Sequence, residues 1–140
     1  MASRTGLTRF ELAVLAAIAL IAGIVFLAVE AQSERLAVSL AIRNMRSGLQ
    51  WAMAQRLMQG EEDKIAGLAG ANPLDFLGPP EGDAPNTRWR FDERRGELVY
   101  RPRLAVAFGG RSELRWRINA VPAAQGRVTG LRLVEVPPGG

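Results

Sequence analysis

The chain has 140 residues and a formal charge of +4, contains no cysteine and no histidine, and has Lys64 as the lone lysine among 18 basic side chains. Without Cys or His there are no disulfides, no thiol nucleophile and none of the usual transition-metal ligand sets, and the commonest general base is missing. The length suits about one domain, and because the first quarter is membrane-like, about a hundred residues remain for a small soluble fold.

Residues 1–6, Met-Ala-Ser-Arg-Thr-Gly, form a short polar leader. Glu11 then sits directly in front of an uncharged apolar run of eighteen residues, 12–29. A helix of that length spans about 27 Å at 1.5 Å per residue, close to the roughly 30 Å hydrocarbon core of a bilayer. A carboxylate at its mouth is costly, up to roughly 2.5–3.5 kcal/mol near a helix centre and less at the interface, so it calls for a partner. Arg4 and Arg9 flank the N-terminal side, and the positive-inside rule puts that end in the cytoplasm.

The helical pattern continues beyond the apolar run. No proline occurs between Glu30 and Gln59, and Val38, Ile42, Met45, Leu49 and Met53 recur at intervals of three or four, with Glu34, Arg35, Arg43, Arg46 and Arg56 filling other positions. One continuous helix of about 50 residues and roughly 75 Å is expected, apolar all round in its first half (7–29) and amphipathic in its second (30–60). Gly60 is the expected stop, and Gly48 a weak point costing up to about 1 kcal/mol against alanine. Trp51 reads equally as a contact to the rest of the fold or to another subunit.

Residues 61–87 hold four glycines and four prolines and read as an irregular connector with one short helical turn near residues 74–77. Strand signals follow in 88–140. Trp89 and Phe91 alternate with Arg88 and Arg90, residues 92–96 form a turn, and 98–101 return as the second strand of a hairpin. A short apolar run at 104–108 is closed by Gly109 and Gly110. Leu114, Trp116 and Ile118 then alternate with Glu113, Arg115 and Arg117, and a last strand from 127 to 136 is interrupted by Gly130 and ended by Pro137 and Pro138. The expected fold class is α+β: a long N-terminal helix whose amphipathic half packs on an antiparallel sheet of three to four strands.

Charge is unevenly distributed. Residues 61–83 carry six acids against Lys64, a net of −5, whereas residues 88–132 carry eleven arginines against four acids, a net of +7. Such polarity suits contacts between copies or an anionic partner, and equally two solvated faces. Arg88, Arg90, Arg94, Arg95, Arg115 and Arg117, with Trp89 and Trp116 among them, are the candidate anion contacts, DNA included. The Leu114, Trp116, Ile118 stripe reads as core. The acidic connector matches no calcium-loop spacing, and no phosphate loop or carboxylate pair at catalytic spacing is visible, so no metal, no cofactor and no catalytic residue is expected.

The segment Gly6-Leu7-Thr8-Arg9-Phe10-Glu11-Leu12, followed by the apolar helix, resembles the N-terminus of type IV pilins and of the pseudopilins of type II secretion systems. The hairpin from Trp89 to Tyr100 also looks like one in pilins of the mannose-sensitive haemagglutinin type. The resemblance implies cleavage between Gly6 and Leu7 by a prepilin peptidase, N-methylation of Leu7 and an assembly role for Glu11. It further implies a single-pass inner-membrane precursor with a periplasmic C-terminal domain, whose partners are an assembly platform and other subunits of a pilus or pseudopilus. Cleavage would create an ammonium on Leu7 that can approach a Glu11 carboxylate in an array of parallel helices, each charge offsetting the other's desolvation. Three features depart from the family pattern: Leu7 in place of phenylalanine, the cation of Arg9, and no helix-breaking proline near Ala28. Other readings of the same segment are a signal peptide cut near Val29-Glu30-Ala31, which an eighteen-residue core and Glu11 disfavour, and an uncleaved single-pass anchor bearing a basic binding domain.

Overall fold

A computed structural model of the chain describes residues 6, 8–77, 88–122 and 128–139. The leader before Gly6, Leu7, the stretch 78–87 of the connector with Glu81 and Asp83, and the expected start of the last strand at Arg127 lie outside the described residues.

Helix α1 runs unbroken over Arg9–Met58, 50 residues. Every residue of 12–29 is exposed, and none of the apolar window that qualifies as a membrane span is covered by the rest of the chain. Beyond it the helix becomes one-sided. Val38, Ile42, Met45, Leu49 and Met53 are its buried residues, the same five that the apolar spacing selects. Removing a side chain of this size from water contributes roughly 1.5–3 kcal/mol each, which fixes the rotational setting of α1 against its partner layer.

That layer is a four-stranded antiparallel sheet in the order β1-β2-β3-β4, formed by β1 (Trp89–Asp92), β2 (Glu97–Tyr100), β3 (Leu114–Pro122) and β4 (Val128–Val136). The fold is therefore α+β, helix over sheet. Because side chains alternate along a strand, Leu98 and Tyr100 of β2, Leu114, Trp116 and Ile118 of β3 and Leu131 and Leu133 of β4 face one core with the helix. Trp89 packs on Tyr100 and Trp116 with ring centroids 4.6 and 5.6 Å apart, so the stripe on β3 is core. A register irregularity at Val121/Pro122 lies opposite Gly130, where the last strand was expected to be interrupted.

An edge strand of nine residues normally leaves backbone groups unpaired, and here the helix engages two of them. The Met53 thioether accepts from the Leu131 N–H at 3.1 Å, and the Arg46 guanidinium donates to the Leu133 carbonyl at 3.3 Å.

The described part of the connector, residues 61–77, is more ordered than its composition suggests. Three short 3-10 turns occupy Glu62–Lys64, Ala66–Leu68 and Pro73–Phe76, the last with Pro73 in its first turn and the Asn72 side chain accepting from the Leu74 N–H at 3.0 Å. The apolar run after β2 likewise forms a 3-10 turn, Ala105–Phe108, and closes on Gly109 in the left-handed region. At the end of α1, Gly60 takes a φ of 70°, its N–H bonds the Leu57 carbonyl, and the Glu61 N–H bonds the Arg56 carbonyl. This pairing satisfies two otherwise orphaned helix carbonyls and explains the stop at Gly60.

Gly48 has a packing reason rather than being a weak point. A Cβ there would lie 1.9 Å from the Phe76 carbonyl oxygen, so the glycine lets the 3-10 turn Pro73–Phe76 rest against the helix backbone. Gly48→Ala should gain about 1 kcal/mol of helix propensity and still lower stability, because overpacking typically costs 1–3 kcal/mol and the obstacle is backbone. Thermal unfolding of the detergent-solubilised chain checks this; a raised midpoint would show that the turn yields without cost.

Candidate functional site

The first site is the mouth of the apolar helix. Thr8 is the N-cap of α1, with its hydroxyl accepting from the Glu11 N–H at 3.2 Å while the Glu11 carboxylate accepts from the Thr8 N–H at 2.9 Å. This reciprocal arrangement satisfies two donors at the helix start and holds the carboxylate on the positive end of the helix dipole. Gly6 is exposed, two residues before the cap, and Leu7 lies outside the described residues. Glu11 thus has a structural use in the chain as it stands.

The second feature is the outward face of α1. Leu36, Leu40, Trp51 and Met58 are 63%, 57%, 67% and 75% exposed. At 100° per residue they fall within about 60° of arc, and the arc lies roughly opposite the five buried residues. Trp51 therefore makes no helix-to-sheet contact. An exposed apolar stripe, crossed by Arg43 and Ser47, continues the all-round apolar surface of 12–29 down the far side of the helix.

The third feature ties the sheet to the helix just beyond the apolar run. Glu34 accepts from the backbone N–H groups of Arg103 and Leu104 and from the Tyr100 hydroxyl, the last two at 2.9 and 2.8 Å. Arg103 pairs with Glu30, and the Arg35 Nε donates to the Ala107 carbonyl. Burial alone would raise the Glu34 pKa, but the Arg103 and Leu104 N–H groups and the Tyr100 hydroxyl together hold it below the usual carboxylate range. Burial and the Glu34 carboxylate push Tyr100 up to about 12. Sequence reading missed this clamp, placing Glu34 and Arg35 only at the non-apolar positions of the helix and Tyr100 in the hairpin. The available signal was Glu30 and Glu34 at i, i+4, which stack on one helix face.

The outer face of the sheet is a network of ion pairs. Arg115 bridges Glu97, Glu113 and Asp92 at 2.9, 3.0 and 3.3 Å; Arg117 pairs with Glu97 at 2.8 Å, and Arg90 with Glu113 at 3.0 Å. Glu97 is only 4% exposed. Hydrogen bonding from Arg115 first, and from Arg90, holds Glu113 low against a burial penalty. Arg90, Arg115 and Arg117 are thus engaged with carboxylates. Arg94 and Arg95 lie in the turn after β1, where the Arg95 N–H donates to Asp92, and Arg88 lies at the opposite end of that strand. Of the six candidate anion contacts, Arg90, Arg115 and Arg117 come together in this network, Arg117 also reaches the Arg95 carbonyl, and Arg88 lines a groove with Glu34 and Tyr100. Among the described residues, no group of three or more carboxylates is placed to hold a metal ion.

No known protein family, curated protein or solved structure matches this chain.

Because the folded pKa of Glu34 is depressed, its contribution to stability is fully present above the ordinary carboxyl pKa of 4.5 and is lost as pH falls through the folded value. Glu34→Gln should cost about 1–2 kcal/mol at neutral pH. The deficit should shrink in acid, where the protonated wild-type carboxyl resembles the amide. Unfolding measured from pH 7 to pH 3 checks this, and a deficit independent of pH would assign it to packing.

Proposed function

We propose that this chain is a prepilin-like structural subunit rather than an enzyme: inserted in the inner membrane by α1 with its sheet domain periplasmic, cut after Gly6 by a prepilin peptidase, methylated on Leu7, and built into a type IV pilus or type II secretion pseudopilus. The observation that carries the reading is the helix surface. A segment apolar on all sides and free of contacts with its own chain passes directly into a stripe of Leu36, Leu40, Trp51 and Met58 turned away from the sheet. Lipid can cover only the first part. Parallel packing against other subunits would cover both, with the sheet domains facing outward. Glu11 at the helix mouth suits the charge pair that such packing needs, and the Thr8 cap holds it in place until cleavage supplies the Leu7 ammonium.

Intact mass of the mature protein tests the processing. The expected product lacks residues 1–6 and bears one methyl group on Leu7; a product beginning at Met1, or one beginning after Ala31, would be inconsistent with a filament subunit and would favour the membrane-anchored binding protein.

The capping role of Glu11 dictates the choice of substitution. Glutamine at that position retains the reciprocal cap and removes only the charge. Glu11→Gln should therefore insert in the membrane with unchanged helicity yet fail to enter filaments, read by shearing and pelleting of assembled material. Normal incorporation would exclude the charge pair as the basis of assembly.

A further inference from the structure

The Glu30–Arg103 and Glu34–Leu104 contacts fix where the sheet domain sits relative to the apolar segment. Glu30 directly follows residue 29, and Glu34 is about 6 Å further along the axis at 1.5 Å per residue. A bilayer's headgroup layer is about 5–7 Å deep on each side, from a total thickness of about 40–45 Å around a core of about 30 Å. The end of the sheet that carries Arg101 and Arg103 thus lies at headgroup level wherever residues 12–29 span a membrane. There is no stalk between them.

That end is cationic and open. Arg101 is 70% exposed, with its nearest carboxylate, Glu113, at 4.0 Å. Arg103 is 55% exposed beside Glu30. Arg88 and Arg103 line a groove with Glu30, Glu34 and Tyr100, and the Arg101 N–H bonds the Arg88 carbonyl, joining the three arginines across the end of the β1–β2 ladder. Ala105 and Val106 of the following 3-10 turn are exposed on the same connector. Glu30 is paired with Arg103 and Glu34 is held by the backbone clamp, while the side chains of Arg101 and Arg103 stay more than half exposed. Guanidinium groups bind phosphate through paired N–H donors, and basic side chains within a Debye length of an anionic leaflet are drawn to it.

We infer that Arg101 and Arg103, with Arg88, form a membrane-facing rim that binds the phosphates of anionic phospholipids in the leaflet from which α1 emerges, seating the sheet domain on the bilayer before any assembly. The inference rests on residues 12–29 being a membrane span and not on the filament.

The test is hydrogen exchange of the full chain reconstituted in nanodiscs of phosphatidylglycerol or of phosphatidylcholine. Exchange at residues 101–107 should be slower in phosphatidylglycerol, on the order of tenfold, as expected for two arginines near an anionic surface. The difference should vanish at about 1 M salt, where the Debye length falls to about 3 Å. It should also vanish in the Arg101→Gln, Arg103→Gln variant, which keeps the Arg103 backbone N–H held by Glu34; unchanged exchange in β3 and β4 shows that this variant is folded. Equal exchange in the two discs overturns the rim. Slowing by inorganic phosphate in phosphatidylcholine discs assigns an anion site and overturns the lipid assignment. Rapid exchange of residues 12–29 in both discs overturns the span, and the rim with it.

Discussion

A single unbroken helix has to satisfy two environments, and the rest of the structure follows from that. Over 12–29 it offers nothing but apolar side chains in every direction, which only lipid or other helices can cover. From Val38 on, one side is committed to the sheet while the other keeps Leu36, Leu40, Trp51 and Met58 exposed. The helix cannot rotate to hide the second set without exposing the first. Its outward stripe is therefore a fixed property of the chain, set by the core itself.

The sheet is held in register with the helix by polar contacts at both ends of their shared length. Glu34 collects two backbone N–H groups and a tyrosine hydroxyl near the apolar segment, and Arg46 and Met53 engage the edge of β4 further along. Between them, the absence of a side chain at Gly48 lets the connector press on the helix backbone. Apolar burial is not directional, whereas these contacts are. They convert a greasy stripe and a greasy sheet face into one defined docking.

Arginine is used here in pairs and triplets. On the outer sheet face Arg115 and Arg117 share the nearly buried Glu97, and Arg115 also reaches Glu113 and Asp92. The planar guanidinium suits several carboxylates at once, which a lysine ammonium does less well. The stems of Arg90 and Arg115, which flank Val99 in the register, explain how that residue is fully buried on a face with no helix over it. A surplus of positive charge in the sequence is thereby folded into a surface where many of the arginines are paired with carboxylates.

What the sequence determined by itself was periodic or local. A 3.6-residue period picked out all five buried residues of α1, a two-residue period gave the core side of β3, and Gly60 marked the helix end through a backbone conformation that glycine readily adopts. The Thr8 and Glu11 cap is just as local, a contact three residues apart, yet it was not among the expectations. What only the tertiary structure decided were contacts between distant residues: Gly48 against Phe76, Glu34 against Arg103 and Leu104, the pairing of the sheet arginines, and the outward aim of Trp51. Local pattern says which side of an element is buried, but which partner meets a glycine or a carboxylate across the fold depends on how whole elements stack. No short-range regularity encodes that.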